Sequence, residues 1–143
     1  MRLLVLNGPN LNLLGLREPD IYGKASYNDL RAMIEAHAAE RGVTVACKQS
    51  NHEGVLVDWI QEAYGKSDGI VFNPGAYTHT SIALLDALKA VGIPCVEVHI
   101  SDVNEREPFR KTSYVGLYAE KRIVGQGLNG YLTAMDYLIE KFG

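Results

Sequence analysis

Cysteine is scarce in this sequence: Cys47 and Cys95 are the two among 143 residues. That is too few for the disulfide framework of a small secreted domain, and each sits in an apolar alternating stretch that suits a buried, reduced thiol. A basic excess is also lacking, because 14 Lys and Arg stand against 17 Asp and Glu, for a formal charge of -3. Nucleic-acid binding needs a basic surplus gathered on one face, so that partner is excluded. No apolar run approaches the roughly 20 residues that span a bilayer, which removes a membrane partner. Met1 leads straight into RLLVLNGPN, without the charged segment, apolar run and small-residue cleavage site of a secretion signal. His37, His52, His79 and His99 form no H-E-x-x-H pattern and no paired-cysteine spacing accompanies them, so no metal is expected; His37 reads as a solvated helix residue. Repeats and low-complexity segments are missing as well. What remains, 47% hydrophobic and 22% charged residues, is ordinary for a globular chain. The length fits a single domain over residues 1–143, expected in the cytoplasm.

Short apolar runs alternate with helical patterns from end to end. Arg2 to Asn7, Val43 to Gln49, Gly69 to Asn73, Pro94 to Ile100 and Lys121 to Gly125 read as strands. The first helical stretch holds Tyr27, Leu30, Ile34 and Ala38, opened by Ser26 with Asp29 three residues on, a capping-box pattern. The second is built on Val55, Leu56, Trp59, Ile60 and Ala63, and the third on Ile82, Leu85 and Leu88. The last carries Leu128, Tyr131, Leu132, Met135, Leu138, Ile139 and Phe142 on one stripe. Such alternation predicts an α/β fold: a five-stranded parallel sheet covered on both faces, a flavodoxin-like three-layer sandwich with strand order 2-1-3-4-5. Two connections, Gly8 to Ala25 and Ser101 to Tyr114, are much longer than the usual two to six residues. Both follow the C-terminal ends of strands, where open α/β sheets bind ligands.

Polar residues gather at those same ends: Asn7, then Ser50, Asn51 and His52, then Asn73, then His99 and Ser101. Each alone can be a helix cap; together with two long loops on one rim they favour a site. His99 lies two positions after Glu97 on a strand, so both side chains point to one face. A carboxylate there orients the imidazole and supports its protonated form, which suits a general acid; a buried structural pair is the competing reading. In the first loop, LREPDIYG places Arg17 and Tyr22 between Gly15 and Gly23, which fits a lid. An unperturbed tyrosine, with a pKa of about 10, is a poor base at neutral pH, and a nearby guanidinium favours the phenolate. Otherwise this is a surface loop with a packed tyrosine. NPGAYTHTS, residues 73–81, offers an amide, hydroxyls, His79 and a following helix N-terminus that suits a carboxylate or phosphate. Gly125, Gly127 and Gly130 match G-x-G-x-x-G, but dinucleotide binding needs a second strand with an acid about 20 positions on. The glycines are instead expected to allow a tight strand-to-helix turn, with no redox cofactor. A flavodoxin-like signalling or flavin-carrying module is the alternative class. It would need an acidic pair after strand 1 with Asp after strand 3, or a hydroxyl-rich phosphate loop; Asn7, Asn73 and GPNLN stand there instead.

NGPNLN at 7–12, LGLREPDIYG at 14–23, QSNHEG at 49–54, NPGAYTHTS at 73–81, EVHIS at 97–101 and FRKTS at 109–113 resemble type II 3-dehydroquinate dehydratase over essentially the whole chain. The resemblance implies a cofactor-free hydro-lyase of the shikimate pathway, on the way to chorismate and the aromatic amino acids, that turns 3-dehydroquinate into 3-dehydroshikimate through an enolate. It implies Tyr22 as the base, with Arg17 lowering its pKa and Arg106 a weaker candidate for that task. Asn10 would hold a water on the enolate oxygen, and His99, oriented by Glu97, would protonate the departing hydroxyl. Asn73 and the N–H groups of Ile100 and Ser101 would take the substrate carboxylate. His79, Asp86 and Arg110 would hold its hydroxyls, with Asp86 lent by a neighbouring subunit of a homododecamer built from trimers. One residue departs from the family pattern: Asp102 stands where Asn is usual, placing an extra acid near the carboxylate pocket.

Overall fold

A computed structural model describes residues 1–16, 20, 24–102 and 107–143. Five strands, β1 (Arg2–Asn7), β2 (Thr44–Gln49), β3 (Gly69–Asn73), β4 (Cys95–His99) and β5 (Lys121–Val124), alternate with the long helices α1 (Tyr27–Arg41), α2 (Glu53–Glu62), α3 (Ile82–Val91) and α4 (Asn129–Phe142). All neighbouring strands pair in parallel, in the order β2-β1-β3-β4-β5. This is the flavodoxin-like topology expected from the alternation of patterns. Period-two alternation sends Leu3 and Val5 to one face of the sheet, and Leu4 and Leu6 to the other. On the first face α1 packs with Leu30, Ile34 and Ala38, and α4 with Tyr131, Met135 and Leu138. Leu56 and Ile60 of α2, and Leu84 and Leu88 of α3, cover the second. Each such Leu or Ile, fully buried, contributes about 1.5–3 kcal/mol. Among the described residues no helix is long and apolar enough to cross a membrane.

Local signals work as the sequence predicts at the start of α1, where Ser26 and Asp29 cap each other through backbone N–H groups at 3.1 and 2.9 Å. Gly125 and Gly127 take φ of 74° and 61° in the turn into α4. That reversal also ends β5 at Val124, one residue earlier than expected, and β4 keeps only Cys95–His99 of its predicted span. β2 begins at Thr44 rather than Val43.

Three expectations fail on packing. Ile82 is 54% exposed, because the buried arc of α3 runs through Leu84, Leu85, Ala87 and Leu88 and turns the first residue of the helix toward solvent. Phe142, at the far end of α4, is not buried either and keeps over a third of its surface exposed. His37 is not a solvated residue: its Nε2 lies 2.7 Å from Asp136 Oδ1 on α4, and Arg41 joins the same carboxylate. The partner is 99 positions away in sequence, beyond the reach of any local periodicity.

The C-terminal ends of β1 and β3 are drawn together. Gly8 N donates to Asn73 O at 2.8 Å, and a Cβ on Gly8 would lie 2.3 Å from the Pro74 carbonyl oxygen, so only glycine fits. Asn7 and Asn73 are register partners. Tyr131 of α4 ties their side chains together: its hydroxyl donates to Asn7 Oδ1 at 2.6 Å and accepts from Asn73 Nδ2 at 2.8 Å. Burial pushes the Tyr131 phenol up, away from its ionised form. Tyr131→Phe keeps the ring but leaves two buried amides short of a partner. It is expected to lower stability by about 1–3 kcal/mol, read as a lower urea midpoint at an unchanged m-value.

Candidate active site

The rim at the C-terminal ends of β1, β3 and β4 collects most of the predicted residues. Gln49 and Asn51, at the end of β2, organise its left side. Gln49 Nε2 donates to Gly8 O at 3.2 Å and to Asn51 Oδ1 at 3.1 Å, while Asn51 Oδ1 also accepts from Asn10 N at 3.0 Å. Tyr77 OH donates to Asn51 O at 2.8 Å. Asn10 itself sits at φ 70°, the one left-handed non-glycine residue among the described residues, with its side chain exposed. Asparagine tolerates that conformation better than most residues, and such strain is often kept where a side chain must be presented.

At the end of β3, Asn73 is nearly inaccessible. Its Oδ1 accepts from Gly75 N at 3.1 Å and its Nδ2 serves Tyr131. His79 closes the short turn Gly75–His79, with Nδ1 against Thr112 O at 2.7 Å. Burial is the main influence lowering its pKa below 6.5, only partly countered by the Thr112 carbonyl. His79 is therefore neutral at pH 7. With Nδ1–H donating to the carbonyl, Nε2 is left as an acceptor for a hydroxyl.

The centre is a charged cluster under the end of β4. Glu97 has no exposed surface, and its Oε2 meets His99 Nε2 at 2.5 Å, as two side chains on one strand face should. Thr78 Oγ1 donates to the same oxygen at 2.7 Å. Ser113 Oγ lies 2.8 Å from both carboxylate oxygens, and Arg122 Nε donates to Oε1 at 2.9 Å. Burial by itself would raise the Glu97 carboxyl. The hydrogen bonds from His99 and Thr78 and the Arg122 charge outweigh it and hold the group at about 2, against an ordinary 4.5. Gly116 gives this cluster its room: a Cβ there would lie 2.8 Å from Arg122 Cδ and 3.0 Å from Glu97 Oε1.

Gly116 and Arg122 escaped sequence reasoning, and Thr78 and Ser113 stood in the motifs NPGAYTHTS and FRKTS without a role of their own. Arg122 carried a usable signal, being a charge inside a strand that the 2-1-3-4-5 order sets beside β4. The remaining candidates lie further out. Ile100 is buried and Ser101 half-buried just past β4. Arg110 Nε donates to Glu107 Oε2 at 2.6 Å. Asp86 is exposed on the side of α3 turned away from the core. Asp102 is half-buried, its Cβ 3.3 Å from where a Cβ on Gly125 would stand. Arg17, Tyr22 and Arg106 lie outside the described residues. Among the described residues, no three His, Cys, Asp or Glu side chains are grouped to hold a metal ion.

A buried acid–imidazole pair beside a row of amides can deliver a proton to a bound oxygen and hold a polyhydroxylated ligand. Known proteins share the whole arrangement of chain. The family model described as dehydroquinase class II matches residues 1–139. A protein of Aspergillus terreus named catabolic 3-dehydroquinase 1 is 54% identical over 98% of this chain and 92% of its own. One of Variovorax paradoxus named 3-dehydroquinate dehydratase is 52% identical over 96% and 98%. The crystal structure of type II dehydroquinase from Butyrivibrio crossotus superposes with a TM-score of 0.95 at 54% identity, covering 96% of this chain and 97% of that one. With a family model matched over residues 1–139, relatives more than half identical and a solved structure that superposes over nearly the whole chain, the chain belongs to the class II dehydroquinase family.

Proposed function

We propose that this protein removes water from 3-dehydroquinate to give 3-dehydroshikimate, a shikimate-pathway step that proceeds through an enolate without a cofactor. The observation that carries the reading is the buried Glu97–His99 pair at 2.5 Å, in a chain whose full-length relatives are named for this activity. In this mechanism Tyr22 takes the proton next to the ketone, and Arg17 stabilises its phenolate, with Arg106 the second candidate for that task. Negative charge moves onto the ketone oxygen, where Asn10 holds a water. The neighbouring C–O bond then breaks as His99 gives its proton to the departing hydroxyl, which leaves as water. With Nε2 turned to Glu97, Nδ1 is the nitrogen that faces substrate. Asn73 and the N–H groups of Ile100 and Ser101 receive the substrate carboxylate. His79, through its free Nε2, Arg110 and a neighbour's Asp86 hold the hydroxyls. The outward placement of Asp86 leaves it accessible to a neighbouring subunit and so supports that last role; a cytoplasmic homododecamer built from trimers is the assembly that goes with it.

Addition of 3-dehydroquinate is expected to raise the ultraviolet absorbance of a conjugated enone; a folded protein that gives none overturns the assignment. Tyr22→Phe should lower kcat by about 10²–10⁴ while still binding substrate, and a variant that keeps a tenth of wild-type kcat or more removes Tyr22 as the base. Asp86 is decided by complementation. Mixed oligomers of inactive Tyr22→Phe and inactive Asp86→Ala subunits should regain activity, and verified mixtures that stay inactive exclude lending between subunits.

Acid should unfold the protein through Glu97. Its carboxyl titrates at about 2 in the folded chain and near 4.5 when unfolded, so the stability it provides is complete above pH 4.5 and is lost as pH falls toward 2. That loss amounts to about 3 kcal/mol. Denaturant titrations between pH 5 and pH 2.5, run in parallel on Glu97→Gln, should show a shallower pH dependence in the variant.

A further inference from the structure

We propose that Arg122 is a positioning residue: acting through Glu97, with Thr78 and Ser113, it keeps the carboxylate anionic so that His99 can release its proton. This rests on His99 being the leaving-group acid. Glu97 is flanked on the sheet by two register partners, Phe72 on β3 and Arg122 on β5. The aromatic neighbour is fully buried and makes the surroundings apolar, so the charge has to be met from the other side. Arg122 meets it through Nε at 2.9 Å, while its Nη2 is buried with no hydrogen-bond partner among the described residues. An orphaned buried donor is destabilising, so the guanidinium is an expensive way to hold a strand in place.

Its value lies in the proton step. Before transfer, Glu97 is anionic and both His99 and Arg122 are cationic, so the cluster carries one net positive charge. After the proton leaves Nδ1 for the substrate hydroxyl, Glu97 and Arg122 balance. Without Arg122 the same step would strand a lone anion in the interior, and the proton would stay on the pair. Other groups near by do not replace it. Cys95, on the same strand face, stays an uncharged thiol because burial pushes it up, and burial likewise keeps His79 neutral. Arg110 is engaged by Glu107, and α3 turns apolar Leu84 and Leu88 to this face.

The test is the titration of His99 followed by NMR of its ring C–H in the intact enzyme, beside the pH profile of kcat. In Arg122→Met the midpoint of His99 should move up by about one pH unit, a tenfold tighter hold on the proton. At neutral pH, kcat should fall about tenfold with KM changed less than about twofold. Arg122→Gln, which keeps an amide donor for Glu97, carries the same expectation should the methionine variant fail to fold. Arg122→Lys, which restores the charge, should return the midpoint toward wild type. A midpoint within about 0.3 pH unit of wild type in either folded neutral variant overturns the proposal. If the midpoint moves while the kcat profile does not, the positioning role stands and His99 as leaving-group acid is what fails.

Discussion

A carboxylate removed from water survives only if donors and cations meet its charge, and Glu97 shows how many separate parts of the chain that takes. The turn after β3 supplies Thr78, β4 supplies His99, the long connection after β4 supplies Ser113, and β5 supplies Arg122. Ser113 is itself fixed by Gly116 N at 2.9 Å, so even a backbone amide is drawn in. Breaking such a buried pair by removing one partner is typically far more damaging than losing a surface ion pair, because the survivor is left uncompensated. The path of the β4–β5 connection is therefore tied to the electrostatics of one side chain. Room for a Cβ at position 116 has been given up to let the charges approach.

Much of this was readable in the sequence where the information is local. The spacing of Glu97 and His99 places them on one strand face, and the contact at 2.5 Å follows from it. Ser26 and Asp29 announce the start of α1, and strands interrupted by helical patterns lead to the 2-1-3-4-5 sheet. What could not be read depends on register or on contacts between distant segments. Arg122 stands opposite Glu97 only because β4 and β5 pair in one register out of several open to so short a strand. His37 finds Asp136 only when α1 and α4 pack side by side. Asn7 and Asn73 were legible as polar strand ends, but their tie through Tyr131 needs the third dimension.

The rim draws on both faces of the sheet. Asn7 and Asn73 turn toward the layer of α1 and α4, where Tyr131 anchors them. Glu97 and His99 turn the other way, into the layer of α2 and α3 and the turns beside them. A small molecule at the strand ends can thus be held by amides fixed from one layer and protonated by an imidazole fixed from the opposite one. Each half is braced by its own hydrogen bonds, so the two can be set independently while sharing the same three strands.

The alternation of β4 limits how this chain can change in length. Cys95, Glu97 and His99 occupy one face, while Val96 and Val98 pack in the core of the other. Inserting or deleting a single residue within the strand would turn the valines toward Arg122 and bury the acid and imidazole among Tyr131, Met135 and Leu138. Away from Ser113 and Gly116, which are tied to Glu97, the connections on the rim can gain or lose residues without that exchange. Length variation among descendants of such a sequence is consequently confined to the loops, and β4 behaves as a ruler whose count cannot be altered by one.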